Sequence, residues 1–391
     1  MRSDDSSRRR ALDEGDQVSF GPRRPVGRWR PGRLLIACGA VLAAVAAAAV
    51  TLIIGHGNNP PRARPASTGA VSTGEAGPRL LGVRASWELF GYGDGRVVRI
   101  QFASGRITQT AVPVHTPVPV QIGGPSSLVV GPHGAMISHL DFVPGYLVPD
   151  GRPARPLAGA LANGGIVIPG PQPGTAWVQA TFQATSMPLV RMDGTETGVS
   201  LRLPPGRGYS QVTSDGRGGV LVVDYGASST TFDDVRPGGI QPIAGRVAGV
   251  TAVGPTRWLF PDCHAGRRCS YVVVDPATGA RHTLPGGSAE LVSGETRGVI
   301  APDGSAAAIL AVSGDRVTLH LLSLVSGSDQ QIPVSLDAES AADQTLAWSP
   351  DGRWLFVVTA QGKLAAVDAR TGHVESLGVS LPPLSLIAVR S

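Results

Sequence analysis

The stretch Leu346–Leu377, LAWSPDGRWLFVVTAQGKLAAVDARTGHVESL, contains four short apolar or alternating runs that are separated by turn residues. Its Pro-Asp-Gly segment, Pro350–Gly352, predicts a tight turn. Proline presets φ there, aspartate hydrogen-bonds its own backbone and glycine accepts a positive φ. Gln361-Gly362 and Thr371-Gly372 mark two further turns. The stretch therefore predicts four consecutive antiparallel strands.

The same turn recurs upstream at regular intervals. Successive copies lie 41 to 48 residues apart, at Pro132, Pro173, Ser214, Pro255, Pro302 and Pro350. One further copy begins near Val83, so seven copies occupy residues 80–391 at about 45 residues each, a length typical of four-stranded propeller blades. We therefore predict an all-β chain whose residues 80–391 form a seven-bladed β-propeller with four-stranded blades.

Two further features bear on how such a ring is assembled. Trp87, Trp177, Trp258 and Trp354 recur at one position of the repeat, and we expect them to pack between neighbouring blades. The first copy has only a short run of residues that could form an innermost strand. The chain, however, continues past the last copy through Leu384–Arg390. We predict that this C-terminal segment completes the first blade.

The N-terminal part of the chain divides into three segments. Residues 1–33 are polar and rich in arginine and predict a disordered basic tail. Leu34–Ile54 is a run of 21 residues without a charge, long enough to cross a bilayer as a transmembrane helix. Residues 55–79 are rich in Pro, Gly, Ser and Thr and predict a linker.

The arginines before Leu34–Ile54 predict a single-pass cell-membrane protein with a cytoplasmic N-terminus and an extracytoplasmic propeller. A cleaved signal peptide is one alternative, although the apolar run is longer than such peptides carry. Lipidation at Cys38 is another, because Leu35–Cys38 is similar to a bacterial lipobox. That cysteine, however, follows only four apolar residues.

The charge distribution speaks against a nucleic-acid partner. The whole chain has 34 basic and 29 acidic residues, of which nine and five lie in residues 1–33. Subtraction leaves 25 basic and 24 acidic residues for the remainder. A nearly neutral large domain predicts no basic groove for nucleic acid.

The Pro-Asp-Gly-Arg-Trp-Leu segment at Pro350 and the Asp-x-x-Thr-Gly segments at Asp275 and Asp368 resemble the WD40-like repeats of TolB-type bacterial propellers. The resemblance covers roughly residues 80–391 and implies a binding protein of the cell envelope. It departs from the TolB pattern before residue 80, where TolB-type proteins carry an extra domain.

The sequence contains no catalytic motif, and we expect no cofactor and no metal. One place interrupts the repeat, the segment Cys263–Cys269. In an oxidising compartment Cys263 and Cys269 predict a disulfide bond, which would present His264, Arg267 and Arg268 as a candidate binding loop for an anionic partner.

These observations predict a membrane-anchored binding or scaffold module for an unknown protein or envelope ligand. The alternative is an envelope enzyme, similar to glycosidases or lyases, with its site in the propeller channel. Such an enzyme needs inward-facing acids, whereas the first-strand segments here, such as Leu346–Trp348, are apolar.

Overall fold

The structure is a computed structural model that describes residues 71–74, 76–113, 126–139, 143–205, 210–225, 230–243, 249–262, 270–285, 295–341 and 344–391. All of them belong to one unit, Pro65–Ser391. The predicted tail, residues 1–33, and the predicted helix, Leu34–Ile54, lie outside the described residues, as does most of the predicted linker.

Regular structure in this unit consists of β-strands and short 3-10 turns. The strands are β1 (Val71–Thr73), β2 (Glu88–Gly93), β3 (Arg96–Gln101), β4 (Arg106–Ala111), β5 (Ser126–Gly131), β6 (Gly134–His139), β7 (Tyr146–Pro149), β8 (Arg155–Pro156), β9 (Ile166–Pro169), β10 (Thr175–Gln179), β11 (Ser186–Arg191), β12 (Glu196–Arg202), β13 (Ser210–Ser214), β14 (Val220–Tyr225), β15 (Thr230–Arg236), β16 (Gly239–Pro242), β17 (Ala252–Val253), β18 (Trp258–Asp262), β19 (Ser270–Val274), β20 (Arg281–Thr283), β21 (Glu295–Ile300), β22 (Ala306–Ser313), β23 (Arg316–Ser323), β24 (Asp329–Ile332), β25 (Leu346–Trp348), β26 (Trp354–Val358), β27 (Leu364–Asp368), β28 (Val374–Ser376) and β29 (Leu386–Arg390). The 3-10 turns are Leu80–Gly82, Gly159–Leu161, Glu339–Ala341 and Ala360–Gly362.

The predicted transmembrane helix and cell-membrane localisation are corrected at this point. In the part of the chain that the structure describes, no helix is long and apolar enough to span a bilayer. The helical segments there are 3-10 turns of three residues each.

The strands form an all-β, propeller-like set of antiparallel sheets. We name them sheet A (β1–β4 and β29), sheet B (β5–β8), sheet C (β9–β12), sheet D (β13–β16), sheet E (β17–β24) and sheet F (β25–β28). Within each four-stranded sheet, consecutive strands pair as neighbours, and the first strand of one sheet lies beside the first strand of the next in several places.

The prediction of seven four-stranded blades is wrong. The described residues form five separate sheets of blade size, and β17–β24 belong to one eight-stranded sheet instead. Its halves are joined by parallel pairing of β17 with β21, in which Ala252 lies opposite Gly298. A Cβ on Gly298 would lie 3.2 Å from the Ala252 Cβ, so two small residues allow the backbones to approach. Repeat spacing cannot reveal such pairing.

The predicted turns between first and second strands are confirmed. Gly131 pairs with Gly134 across the turn at Pro132, and the turn at Pro350 connects β25 to β26. The expected hydrogen bond between the aspartate and the backbone of the turn is present: Asp351 Oδ1 accepts it from the Arg353 amide at 3.1 Å. Gly352 has φ +67°, which a glycine adopts without steric cost.

The hydrophobic core lies between neighbouring sheets, as the tryptophan positions predict. Trp87 of sheet A and Trp354 of sheet F share one cluster, whereas Trp177 packs between sheets C and D. The indole of Trp177 also donates a hydrogen bond to the Gly218 carbonyl of sheet D at 2.7 Å. Trp258 donates to the Asp215 carbonyl at 2.8 Å. The indoles therefore join adjacent sheets, and this interpretation is confirmed.

Closure by the C-terminal segment is also confirmed. Strand β29 pairs antiparallel with β2, from Glu88 opposite Arg390 to Tyr92 opposite Leu386. Sheet A has a fifth strand as well, because β1 pairs with β4 at the outer edge. The two edges of this sheet thus come from opposite ends of the described chain.

Candidate functional site

The predicted binding loop connects β18 to β19, and its residues lie outside the described part of the chain. Nothing in the structure therefore tests the roles of His264, Arg267 and Arg268. The described residues include no disulfide bond, and the pairing of Cys263 with Cys269 stays a prediction.

We call β29, β5, β9, β13, β21 and β25 the first strands of their repeats, and their partners β2, β6, β10, β14, β22 and β26 the second strands. The upper face is the end of the sheets at which the first strands begin and the second strands finish. In sheet B the first residue of β5, Ser126, lies opposite the last residue of β6, His139. Neighbouring first strands meet at the same level, since the Val167 amide of β9 donates to Ser127 Oγ of β5 at 2.8 Å. The β18–β19 connection leaves from this face.

Four consecutive sheets place a buried polar side chain at one equivalent position on the upper face. The residues opposite the first residue of each first strand are Tyr92 in sheet A, His139 in sheet B, Gln179 in sheet C and Asp224 in sheet D. All four side chains are buried. We call this set the polar arc. At the same position β22 has Val312 and β26 has Val357, so the repeat itself does not require polarity.

Strand alternation assigns each member of the polar arc to a contact between two sheets. Phe90 and Tyr92 share the face of β2 that packs on sheet B, and Ile137 and His139 share the face of β6 that packs on sheet A. The Tyr92 hydroxyl lies 3.3 Å from His139 Nε2. Their rings are tilted with centroids 5.6 Å apart.

The Tyr92–His139 pair is built for hydrogen bonding at neutral pH. Burial, together with a smaller contribution from the nearby Tyr146, raises the pKa of Tyr92 to about 12. Tyr92 therefore stays a neutral phenol. A phenol in this state donates a hydrogen bond but supplies no negative charge for nucleophilic or base chemistry.

Gln179 and Ser138 are the most unusual polar groups in this region. Gln179 is 1% exposed, and neither Oε1 nor Nε2 has a hydrogen-bond partner among the described residues. The same holds for Ser138 Oγ, in a side chain that is fully buried. Buried amides are nearly always hydrogen-bonded, and leaving one unpaired costs roughly 1–3 kcal/mol. Groups of this kind are therefore candidates for contact with a polar ligand.

The buried carboxylate of Glu88 has its hydrogen-bond partners within the protein itself. Glu88 accepts hydrogen bonds from Arg99, Gln101 and Arg390, and Arg390 also bonds Asp150 of sheet B at 2.9 Å. This network joins sheets A and B at the lower face, opposite the polar arc. Its role is structural.

Two grooves flank the β19–β20 turn on the lower face, with volumes of about 490 Å³ and 750 Å³. The Asp275 carboxylate, which lines both grooves, is already paired, because Arg257 Nη1 lies 2.7 Å from Asp275 Oδ2. Arg217 donates to the Pro276 carbonyl at 2.7 Å. They lie at the opposite end of the β18–β19 hairpin from the predicted loop.

The polar arc was missed by reasoning from the sequence. Aligning the second strands by their pairing with the first strands gives Tyr, His, Gln and Asp in succession, where β22 and β26 have Val. Finding it requires the strand register, and a single His or Gln in an alternating run looks like an ordinary solvent-facing residue.

Comparison with known proteins finds only distant structural matches. No protein-family model matches the chain, and no curated protein matches it. Similar solved structures include a protein from Lactobacillus plantarum (14% identity, 78% of this chain and 99% of that chain, TM-score 0.49). They also include an oligogalacturonate lyase in complex with manganese (11%, 76% and 89%, TM-score 0.48). TolB from Acinetobacter baumannii is a third (14%, 64% and 67%, TM-score 0.35). At these identities and TM-scores the matches carry no argument about this chain, and they do not distinguish WD40-type repeats from other propeller repeats.

Proposed function

We propose that this protein is a binding module whose ligand, a protein segment or a polar small molecule, contacts the upper face above the polar arc. The observation that carries the proposal is the run of four buried polar side chains, Tyr92, His139, Gln179 and Asp224, on consecutive sheets. A repeat that served packing alone would place apolar residues there, as β22 and β26 do.

The described first strands favour binding over catalysis. Propeller enzymes that cleave glycosidic bonds use paired carboxylates. Apart from Glu295, whose side chain lies outside the described residues, no first-strand side chain that the structure describes is an Asp or a Glu. The neutral Tyr92 phenol beside His139 offers hydrogen bonds and shape, which are the means of recognition.

The proposal is tested with full-length protein immobilised on beads and exposed to extracts of the source cells. Three conservative variants remove polarity and keep volume: Tyr92→Phe, Gln179→Met and Asp224→Asn. Arg217→Ala on the lower face is the matched control. We expect one defined ligand, identified by mass spectrometry, whose recovery falls at least about tenfold in the three variants and not in the control.

Two results would contradict the proposal. The first is a ligand that the upper-face variants retain and Arg217→Ala loses. The second is turnover of glycoside, uronate or lactone substrates by the wild-type protein that Tyr92→Phe and Asp224→Asn abolish, which would support the enzyme alternative. Circular dichroism and thermal unfolding of each variant separate loss of binding from loss of fold.

A further inference from the structure

The smaller of the two lower-face grooves runs along the contact between sheets D and E, beside the β19–β20 turn. Its volume of about 490 Å³ falls within the range of small-molecule sites. Both sheets contribute apolar walls: Pro242 and Ile243 from sheet D, and Trp258, Val274 and Pro276 from sheet E. The groove therefore offers a small organic molecule both room and an apolar surface.

Strand register directs two polar side chains into this groove. Arg281 lies opposite Val274 in sheet E, and Gln241 lies opposite Asp234 in sheet D. Residues opposite each other in an antiparallel pair share one face of the sheet. Phe232, on the same face as Asp234, packs with Val274 in one cluster between the two sheets. The guanidinium and the amide thus line the groove from opposite sheets.

The carboxylates that line the groove have positive partners within the protein. Asp275 Oδ2 lies 2.7 Å from Arg257 Nη1, and Asp234 Oδ2 lies 2.9 Å from Arg236 Nη2. Arg281 is exposed and forms neither a salt bridge nor a side-chain hydrogen bond with any residue that the structure describes. Arg281 is therefore the cation in this groove that remains available to an anion.

A guanidinium at the edge of an apolar groove defines the class of ligand. Guanidinium groups bind carboxylates through two parallel hydrogen bonds, and these charge-assisted bonds are stronger than neutral ones. The exposed Gln241 amide can donate a further hydrogen bond to the same anion. A single free cation beside two carboxylates suits a monoanion better than a phosphate, which carries more negative charge. The apolar walls suit a flat hydrocarbon body.

We propose that the groove between sheets D and E binds a small organic acid, with its carboxylate on Arg281 and Gln241 and its apolar body against Pro242, Ile243 and Pro276. The site lies on the lower face. It goes beyond the proposed binding at the polar arc and does not depend on it.

The test uses full-length protein and two probes of nearly equal size, naphthoate and its neutral amide naphthamide, titrated by calorimetry. We expect one naphthoate per chain, and binding of naphthamide that is weaker by roughly tenfold or more, because the amide forms no charge-assisted hydrogen bond. Arg281→Gln should bind both probes equally weakly. Arg316→Gln, which changes an exposed arginine of β23 that lines neither groove, should bind naphthoate as the wild type does.

Photochemical cross-linking locates the probe in the wild-type protein and so needs no variant to fold. Benzoylbenzoate has the same carboxylate and inserts into neighbouring C–H bonds on irradiation. We expect peptide mass spectrometry to find the label on residues 241–243 or 274–281, and an excess of naphthoate to suppress it. Label confined to other parts of the chain would overturn the site. So would an absence of naphthoate binding at millimolar concentration, or equal naphthoate affinity in Arg281→Gln and the wild type.

Discussion

Removal of the C-terminal strand is the most direct test of how this unit holds together. Ending the chain at Gly378 deletes β29, in which Leu386 and Ile387 are 4% and 2% exposed, together with Leu384, which is 4% exposed. Burying one such side chain contributes about 1.5–3 kcal/mol, so the deletion removes about 4.5–9 kcal/mol of stabilisation. The free energy of unfolding of a typical domain is about 5–15 kcal/mol in total. We therefore expect loss of cooperative unfolding, or aggregation.

Close backbone contacts hold this segment in place. A Cβ on Gly93 would lie 2.1 Å from the Pro383 carbonyl oxygen, so strand β2 accommodates the incoming backbone by having no side chain there. The Ile387 amide donates to the Gln344 carbonyl at 2.8 Å, which also ties β29 to the segment before sheet F.

The assay is urea unfolding followed by tryptophan fluorescence, because Trp87 and Trp354 lie in the cluster that contains Leu384 and Ile387. The matched control deletes residues 71–75 within the full chain. It removes β1 from the other edge of the same sheet, where the side chains are mostly exposed. The control should unfold nearly as the wild type does. If the chain that ends at Gly378 keeps the wild-type midpoint and slope, the argument from buried area is wrong.

Three further predictions concern single residues. Burial raises the pKa of Glu88, but hydrogen bonds from Arg99, Gln101 and Arg390 outweigh it and hold the pKa below its ordinary value. The stability that this carboxylate contributes is therefore present above its unfolded pKa of about 4.3 and lost as the pH falls through the lower folded value. Glu88→Gln should cost about 1.5–3 kcal/mol at neutral pH and flatten the acid limb of the stability curve in urea titrations; an acid limb as steep as that of the wild type would contradict this. Gly93→Ala should lower the free energy of unfolding by about 1–3 kcal/mol, because the added methyl group crowds Pro383. Gly238→Ala should leave it nearly unchanged in the same titration, because a Cβ there meets nothing within 4 Å. In thermal unfolding, Trp177→Phe should lower the free energy of unfolding by about 1 kcal/mol more than Trp354→Phe does. The reason is that the Trp177 indole donates a hydrogen bond to the Gly218 carbonyl, whereas Trp354 Nε1 has no partner among the described residues. Equal losses would mean that the hydrogen bond contributes nothing.

The sequence by itself determined the all-β class, the turn positions and the layers of tryptophan between sheets. These follow from local chemistry: Asp351 bonds the next backbone amides, Gly352 adopts a positive φ, and Trp177 is the large apolar residue of its strand. It also indicated that Leu384–Arg390 forms a strand without a repeat of its own, and pairing with β2 buries the apolar side of that strand.

Only the tertiary structure decided which repeats hydrogen-bond to each other and which polar residues meet. The pairing of β17 with β21 depends on Ala252 and Gly298 coming face to face from separate repeats, 46 positions apart, and no local preference encodes that encounter. The polar arc has the same origin. His139, Gln179 and Asp224 each lie at or next to the end of a strand whose sequence looks ordinary in isolation. They become one buried set because the sheets pack side by side at equal height.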